Sequence, residues 1–206
     1  MLVLVQRVSF ALMALMAAGV AVVSARYLAP GMPGGAPPVL ANAFADPWLV
    51  WHAGAAATAL LLGPFQFVGR RNGRRAVWHR LTGAVYMAAC LVGGVSGLVL
   101  AIGTTAGPIA AAGFGALAVA WLLTTALGLR ALLARRYGEH GRWMVRSFAL
   151  TFAAVALRLY LPLSNALGLD MALAYVAISW LCWVPNLLVA EALFLRRPRR
   201  PALQTA

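Results

Sequence analysis

Three histidines are the residues of this chain best suited to chemistry, because imidazole ligates metals and moves protons near neutral pH. Two of them repeat. Arg74-Arg75-Ala-Val-Trp-His79 and Arg135-Arg136-Tyr-Gly-Glu-His140 share the spacing RRxxxH at an offset of 61 residues. Carried forward at helical spacing, the offset aligns two faces. One is His79, Gly83, Tyr86, Cys90, Gly93 and Gly97; the other is His140, Met144, Ser147, Thr151, Ala154 and Arg158. Both are largely small or polar in a background of Leu, Val and Ala, which predicts that both point into a bundle. A third face, His52, Ala56, Ala59, Gly63 and Gln66, has the same character.

Two imidazoles on separate helices are the ligand set of a b-type haem, whose macrocycle an apolar helical bundle can hold. His79 and His140 are therefore the candidate metal ligands and cofactor-binding residues, with Arg80 and Arg142 as candidate partners for the propionates. The alternatives are a polar residue at the membrane interface, bonded to a backbone carbonyl or lipid phosphate, and a quinone or lipid-headgroup site. His52 belongs near the opposite side, about 25 Å away at 1.5 Å per residue, so the three histidines are not expected to share one metal. Arg158 falls near that same side. An arginine inside a membrane span costs about 3 kcal/mol on insertion scales and normally has a partner or a cavity. It either snorkels to the interface or forms an outer pocket with His52, with Asp170 or a bound anion as counter-charge.

No nucleophile elbow, phosphate loop, HExxH or paired-carboxylate pattern occurs, so no catalytic residue is assigned and enzymatic activity is left open. Four acidic residues in the whole chain give little material for proton relays or carboxylate metal cages. Cys90 and Cys182 lie inside apolar runs without CxxC spacing and read as small packing residues.

The elements that position these groups follow from composition. The chain is 63% hydrophobic and 10% charged, against about a quarter charged in an average soluble domain. Runs of about 20 apolar residues span a hydrocarbon core. Six such runs are expected, at about 8–25, 47–68, 77–103, 109–133, 143–161 and 171–195, in one integral membrane domain covering 1–206. The fold class is all-α, a polytopic membrane helical bundle. The seventeen basic residues are all arginine, and all but Arg26 and Arg158 fall at the N-terminus or at alternate junctions. Basic loops stay cytoplasmic, which predicts both termini inside and a multi-pass protein of a bacterial inner (plasma) membrane. The same placement assigns the +13 net charge to the bilayer and its anionic lipid headgroups rather than to nucleic acid. Val23-Ser24-Ala25 also fits a signal cleavage site, in which case five helices remain.

Finer expectations concern shape. Pro64 and Pro185 should kink the second and sixth helices, and Pro162 should stop the fifth. Gly93 and Gly97 permit close helix approach. Glu191 should meet an arginine of the inner junctions.

Three segments carry a resemblance: Gly63-Pro64-Phe65-Gln66-Phe67, His79-Arg80-Leu-Thr-Gly83-Ala-Val-Tyr86, and His140-Gly-Arg-Trp143-Met144-Val-Arg146-Ser147. Together they resemble a bacterial family of predicted multi-helix membrane proteins of unknown function, over about Trp51 to Arg158. That resemblance implies a multi-helix membrane fold and the same histidines, and no established activity. A looser likeness is to cytochrome b561-type electron carriers. Those use four histidines for two haems, and this chain has three, so the likeness implies one haem at most, through His79 and His140. The functional expectations are thus single-haem electron transfer, a small-molecule or lipid carrier, or a non-catalytic subunit with a membrane-complex partner.

Overall fold

A backbone inside hydrocarbon must satisfy its own N–H and C=O groups, and apolar runs do so as helices. The computed structural model describes residues 2–29, 37–68 and 74–195. The Pro/Gly-rich loop at 30–36, the basic hairpin at 69–73 and the arginine-rich tail at 196–206 lie outside the described residues. Among the described residues all regular structure is helical. It comprises α1 (Leu2–Ser24), a short α2 (Pro37–Leu40), α3 (Ala45–Leu62), α4 (Arg74–Ile102), α5 (Pro108–Leu133), α6 (Tyr137–Thr151), α7 (Ala153–Ala166), α8 (Met171–Leu181) and α9 (Val184–Ala190). Six stretches are long and apolar enough to cross a membrane: Arg7–Leu28, Ala45–Phe67, Ala76–Ile102, Pro108–Leu133, Tyr137–Ala166 and Met171–Leu193. The fifth comprises α6 and α7, and the sixth contains α8 and α9.

Two boundaries differ from the sequence reading. The fifth span begins at Tyr137 rather than Trp143, because helical hydrogen bonding continues through polar turns that apolarity alone does not mark. It also runs through Pro162 to Ala166. Gly168, at φ +67°, supplies the left-handed residue that ends it, with Leu169 N–H donating to the Ser164 carbonyl at 3.0 Å. The other two prolines act as expected. Beyond Pro64 the chain tightens into a 3₁₀ turn, and Pro185 lies just inside α9 after a break at Cys182–Trp183. Asn186 Nδ2 satisfies the Cys182 carbonyl at that break, at 3.0 Å.

Along the bundle α3 lies on α4, α4 on α5 and α5 on α6; α1 rests on α3, and α8 on α5 and α7. Leu15, Leu123 and Leu173 are 69%, 56% and 73% exposed, as side chains facing lipid would be. The interior is built on Ala59, Tyr86, Cys90, Trp121, Phe148 and Leu150. The two faces aligned by the 61-residue offset meet each other there. Tyr86 Oη lies 3.1 Å from Ser147 Oγ and 3.1 Å from Thr151 Oγ1. Thr125 Oγ1 is 3.0 Å from Ser147 Oγ, and Trp121 Nε1–H donates to Thr151 Oγ1 at 3.0 Å. Interhelical bonds of this kind hold spans together where lipid removes the hydrophobic drive between them. Ser147 is fully buried. Ser147→Ala is expected to cost about 1–2 kcal/mol by leaving Thr125 and Tyr86 under-bonded, read as a lowered unfolding midpoint in neutral detergent.

The three segments that carry the family resemblance also converge. Gln66 Nε2–H donates to Thr82 Oγ1 at 2.8 Å, the Phe67 and Phe148 rings are 5.5 Å apart, and Tyr86 meets Ser147. Farther toward the arginine-rich end, Arg146 clasps Glu191 with both Nε and Nη2, the latter 3.0 Å from Oε2. Its guanidinium lies 4.6 Å from the centre of the Trp143 ring. Glu191 thus takes as its partner Arg146, one of the clustered arginines.

Candidate functional site

Small residues let helices approach closely, and where large side chains must share the remaining space a cavity forms. One of about 250 Å³ lies in the half of the bundle away from the arginine clusters, and all six spans line it. Tyr27 comes from the turn after α1, His52 from α3, Gly97 from α4, Trp121 from α5, Arg158 from α7 and Tyr175 from α8. Its volume is near the lower limit of small-molecule sites. Most of the wall is apolar, including the Phe114 and Tyr175 rings, 5.4 Å apart. Over this end the chain before α3 is pinned to α4: Asn42 Nδ2–H donates to the Leu100 carbonyl at 2.7 Å and Ala43 N–H to the Gly103 carbonyl at 2.9 Å.

His52 is fixed by α4. Its Nδ1–H donates to the Gly93 carbonyl at 2.9 Å, which makes Nδ1 the protonated nitrogen and leaves Nε2 as the acceptor of the neutral ring. Two glycines make room for the rings. A Cβ at Gly97 would stand 3.0 Å from the His52 ring, and one at Gly93 would stand 2.9 Å from the Trp121 ring. The small-residue spacing read from the sequence therefore admits an imidazole and an indole, rather than only another backbone.

Arg158 lines the same cavity. Its Nη1–H donates to the Ala154 carbonyl, one turn back, at 3.2 Å. The bond keeps the guanidinium against its own helix, beside the cavity. Asp170 is not its partner; that carboxylate caps α8 by accepting from Leu173 N–H at 2.9 Å. Arg26 lines the cavity as well, with its guanidinium 5.3 Å from the centre of the Tyr27 ring. Its Nε is buried without a hydrogen-bond partner among the described residues.

His79 and His140 lie elsewhere. Gly93, which holds His52, is about 21 Å farther along α4 than His79 at 1.5 Å per residue. His140 donates from Nδ1 to the Gly128 carbonyl of α5 at 2.9 Å. His79 is half-buried, while Arg80 and Arg142 are exposed, and none of these four residues lines the cavity. The structure thus brings His52 and Arg158 to one space and leaves His79 and His140 outside it.

Sequence reasoning missed Trp121, Tyr27, Tyr175 and Arg26. For Trp121 a signal was present: an indole in mid-span, far from the interfacial belt where Trp is enriched, needs a partner for its N–H. For Arg26 the sequence offers only its place outside the arginine clusters.

No curated protein and no solved structure matches the chain. Residues 49–194 match the predicted membrane protein family DUF2306. That stretch takes in most of the second span, all of spans three to six and the three convergent segments, and the chain belongs to that family of predicted membrane proteins.

Proposed function

We propose that the protein binds a small amphipathic molecule, a lipid or lipid-like metabolite, in the cavity where the six spans meet. The observation that carries this reading is the division of that cavity. Arg26, Arg158, His52 and Tyr27 supply polar groups, while residues such as Leu49, Phe114, Leu117 and Leu157 supply an apolar wall. A few polar groups in a mainly apolar hollow are the usual make-up of a small-molecule site. An arginine lining a cavity within a span, at about 3 kcal/mol of insertion cost, needs a compensating interaction, and a ligand supplies one. Photolabelling with a single-chain amphiphile that carries a diazirine in its chain tests the reading, through the residues that acquire adducts.

The single-haem reading of His79 and His140 has one supporting contact. The bond from His140 Nδ1 to the Gly128 carbonyl leaves Nε2 as the lone-pair nitrogen, the arrangement common in metal-ligating imidazoles. It requires a Soret band in protein from haem-replete cells that disappears in His140→Ala. We favour the cavity because it has a shaped space as well as polar groups.

A further inference from the structure

A ligand's head is constrained by the charges that have no partner within the protein. The chain has four side-chain carboxylates: Asp46, Glu139, Asp170 and Glu191. Glu139 lies 3.7 Å from Arg136, Glu191 is clasped by Arg146, and Asp170 caps α8. Asp46 stands in the non-helical first turn of α3. None of the four lines the cavity, yet Arg26 and Arg158 both do. The two guanidiniums belong to residues that line one space. In a medium of low dielectric such like charges repel far more strongly than in water. Among the described residues Arg158 bonds the Ala154 carbonyl of its own helix, and the buried Arg26 Nε has no acceptor. The site therefore has guanidinium donors and positive charge, and no carboxylate lines it among the described residues. Planar guanidinium groups match carboxylate and phosphate oxygens in particular.

We infer that the ligand's head is an anion, a carboxylate or a phosphate ester, held by Arg158 with Arg26 beside it while its hydrocarbon chain lies on the apolar wall. This inference rests on the cavity being a ligand site, and it adds the sign and chemistry of the head. His52 lines the same space, its ring held by the bond from Nδ1–H to the Gly93 carbonyl.

The test uses the full chain in neutral detergent and six probes: decanoate, decyl phosphate, decanol, decyltrimethylammonium, acetate and inorganic phosphate. Decanoate, decyl phosphate or both should raise the unfolding midpoint by about 4 °C or more at saturation. Decanol, decyltrimethylammonium, acetate and inorganic phosphate should leave it unchanged. Arg158→Leu and, independently, Arg26→Gln should weaken the apparent affinity for the anionic chains at least tenfold, with Arg158→Lys retaining part of the response. Equal stabilisation by decanol would overturn the anionic head and leave amphiphile binding standing. Stabilisation by acetate or inorganic phosphate alone would keep an anion site and overturn the amphiphile. If no probe shifts the midpoint, both fall. Arg158→Leu and Arg26→Gln proteins that respond like wild type would remove the arginines from the site. Because Arg158→Leu deletes a charge from a span, it is expected to fold at least as well as the parent.

Discussion

Trp121→Ala is expected to lower stability by about 3–5 kcal/mol, the usual range for deleting a large aromatic side chain from a core. Trp121 is 6% exposed and its ring fills the space left by Gly93. Its N–H is the donor that joins α5 to Thr151 of α6. Truncation therefore removes packing on α4 and a hydrogen bond to α6 at the same time. Because the ring also lines the cavity, the void left behind should merge with it. Trp121→Phe keeps most of the volume and loses the N–H, and should cost about 1–2 kcal/mol. Unfolding midpoints for the two variants check this; equal losses would show that packing on Gly93 is not the larger contribution.

Arg146→Ala is expected to cost about 2–3 kcal/mol, below the 3–5 typical of a fully buried pair broken on one side. The side chains of Arg146 and Glu191 are 17% and 32% exposed, so solvent screens part of the interaction. The lost arginine leaves Glu191 without its bidentate partner on the last described turn of the sixth span. Replacing both residues together, Arg146→Met with Glu191→Leu, should return most of the loss, since an apolar pair carries no unpaired charge. A double-mutant cycle read by thermal unfolding measures the coupling. Additive losses would mean that the two groups do not interact in solution.

The helices could be read from the sequence because their cause is local. Each span is a run of apolar residues long enough to cross hydrocarbon, and bounds such as Pro108 at the head of α5 are set by nearby residues. The inward faces could be read for a related reason. Small and polar residues at helical spacing have few stable places besides the interior, and Tyr86, Ser147 and Thr151 occupy it together. Pro162 misled because a proline ring inside a helix bends or weakens it without always ending it, while the decisive residue, Gly168, lay farther on.

The cavity was harder to foresee. His52 and Arg158 lie on different helices, and their shared depth could be counted at 1.5 Å per residue. Which side chains fill the space between them depends on how α1, α5 and α8 pack, and helical periodicity does not encode that. Tyr27 illustrates the difficulty. It follows the end of α1 in a 3₁₀ turn, is 6% exposed, and reaches the site only because α1 packs on α3. That Arg158 lines the same cavity as Arg26 is also a tertiary outcome, since the two residues lie on different helices far apart in sequence.

Photolabelling addresses the central claim most directly. Decanoate bearing a diazirine midway along its chain, activated with the protein in a zwitterionic lipid nanodisc, should mark cavity residues such as Leu49, Leu117 and Leu157. Excess unlabelled decanoate should suppress those adducts, and Arg158→Leu should reduce them. Adducts confined to outward-facing side chains such as Leu123 and Leu173, unaffected by competitor, would show that the chain dissolves in the bilayer around the protein and that the interior space is not a binding site.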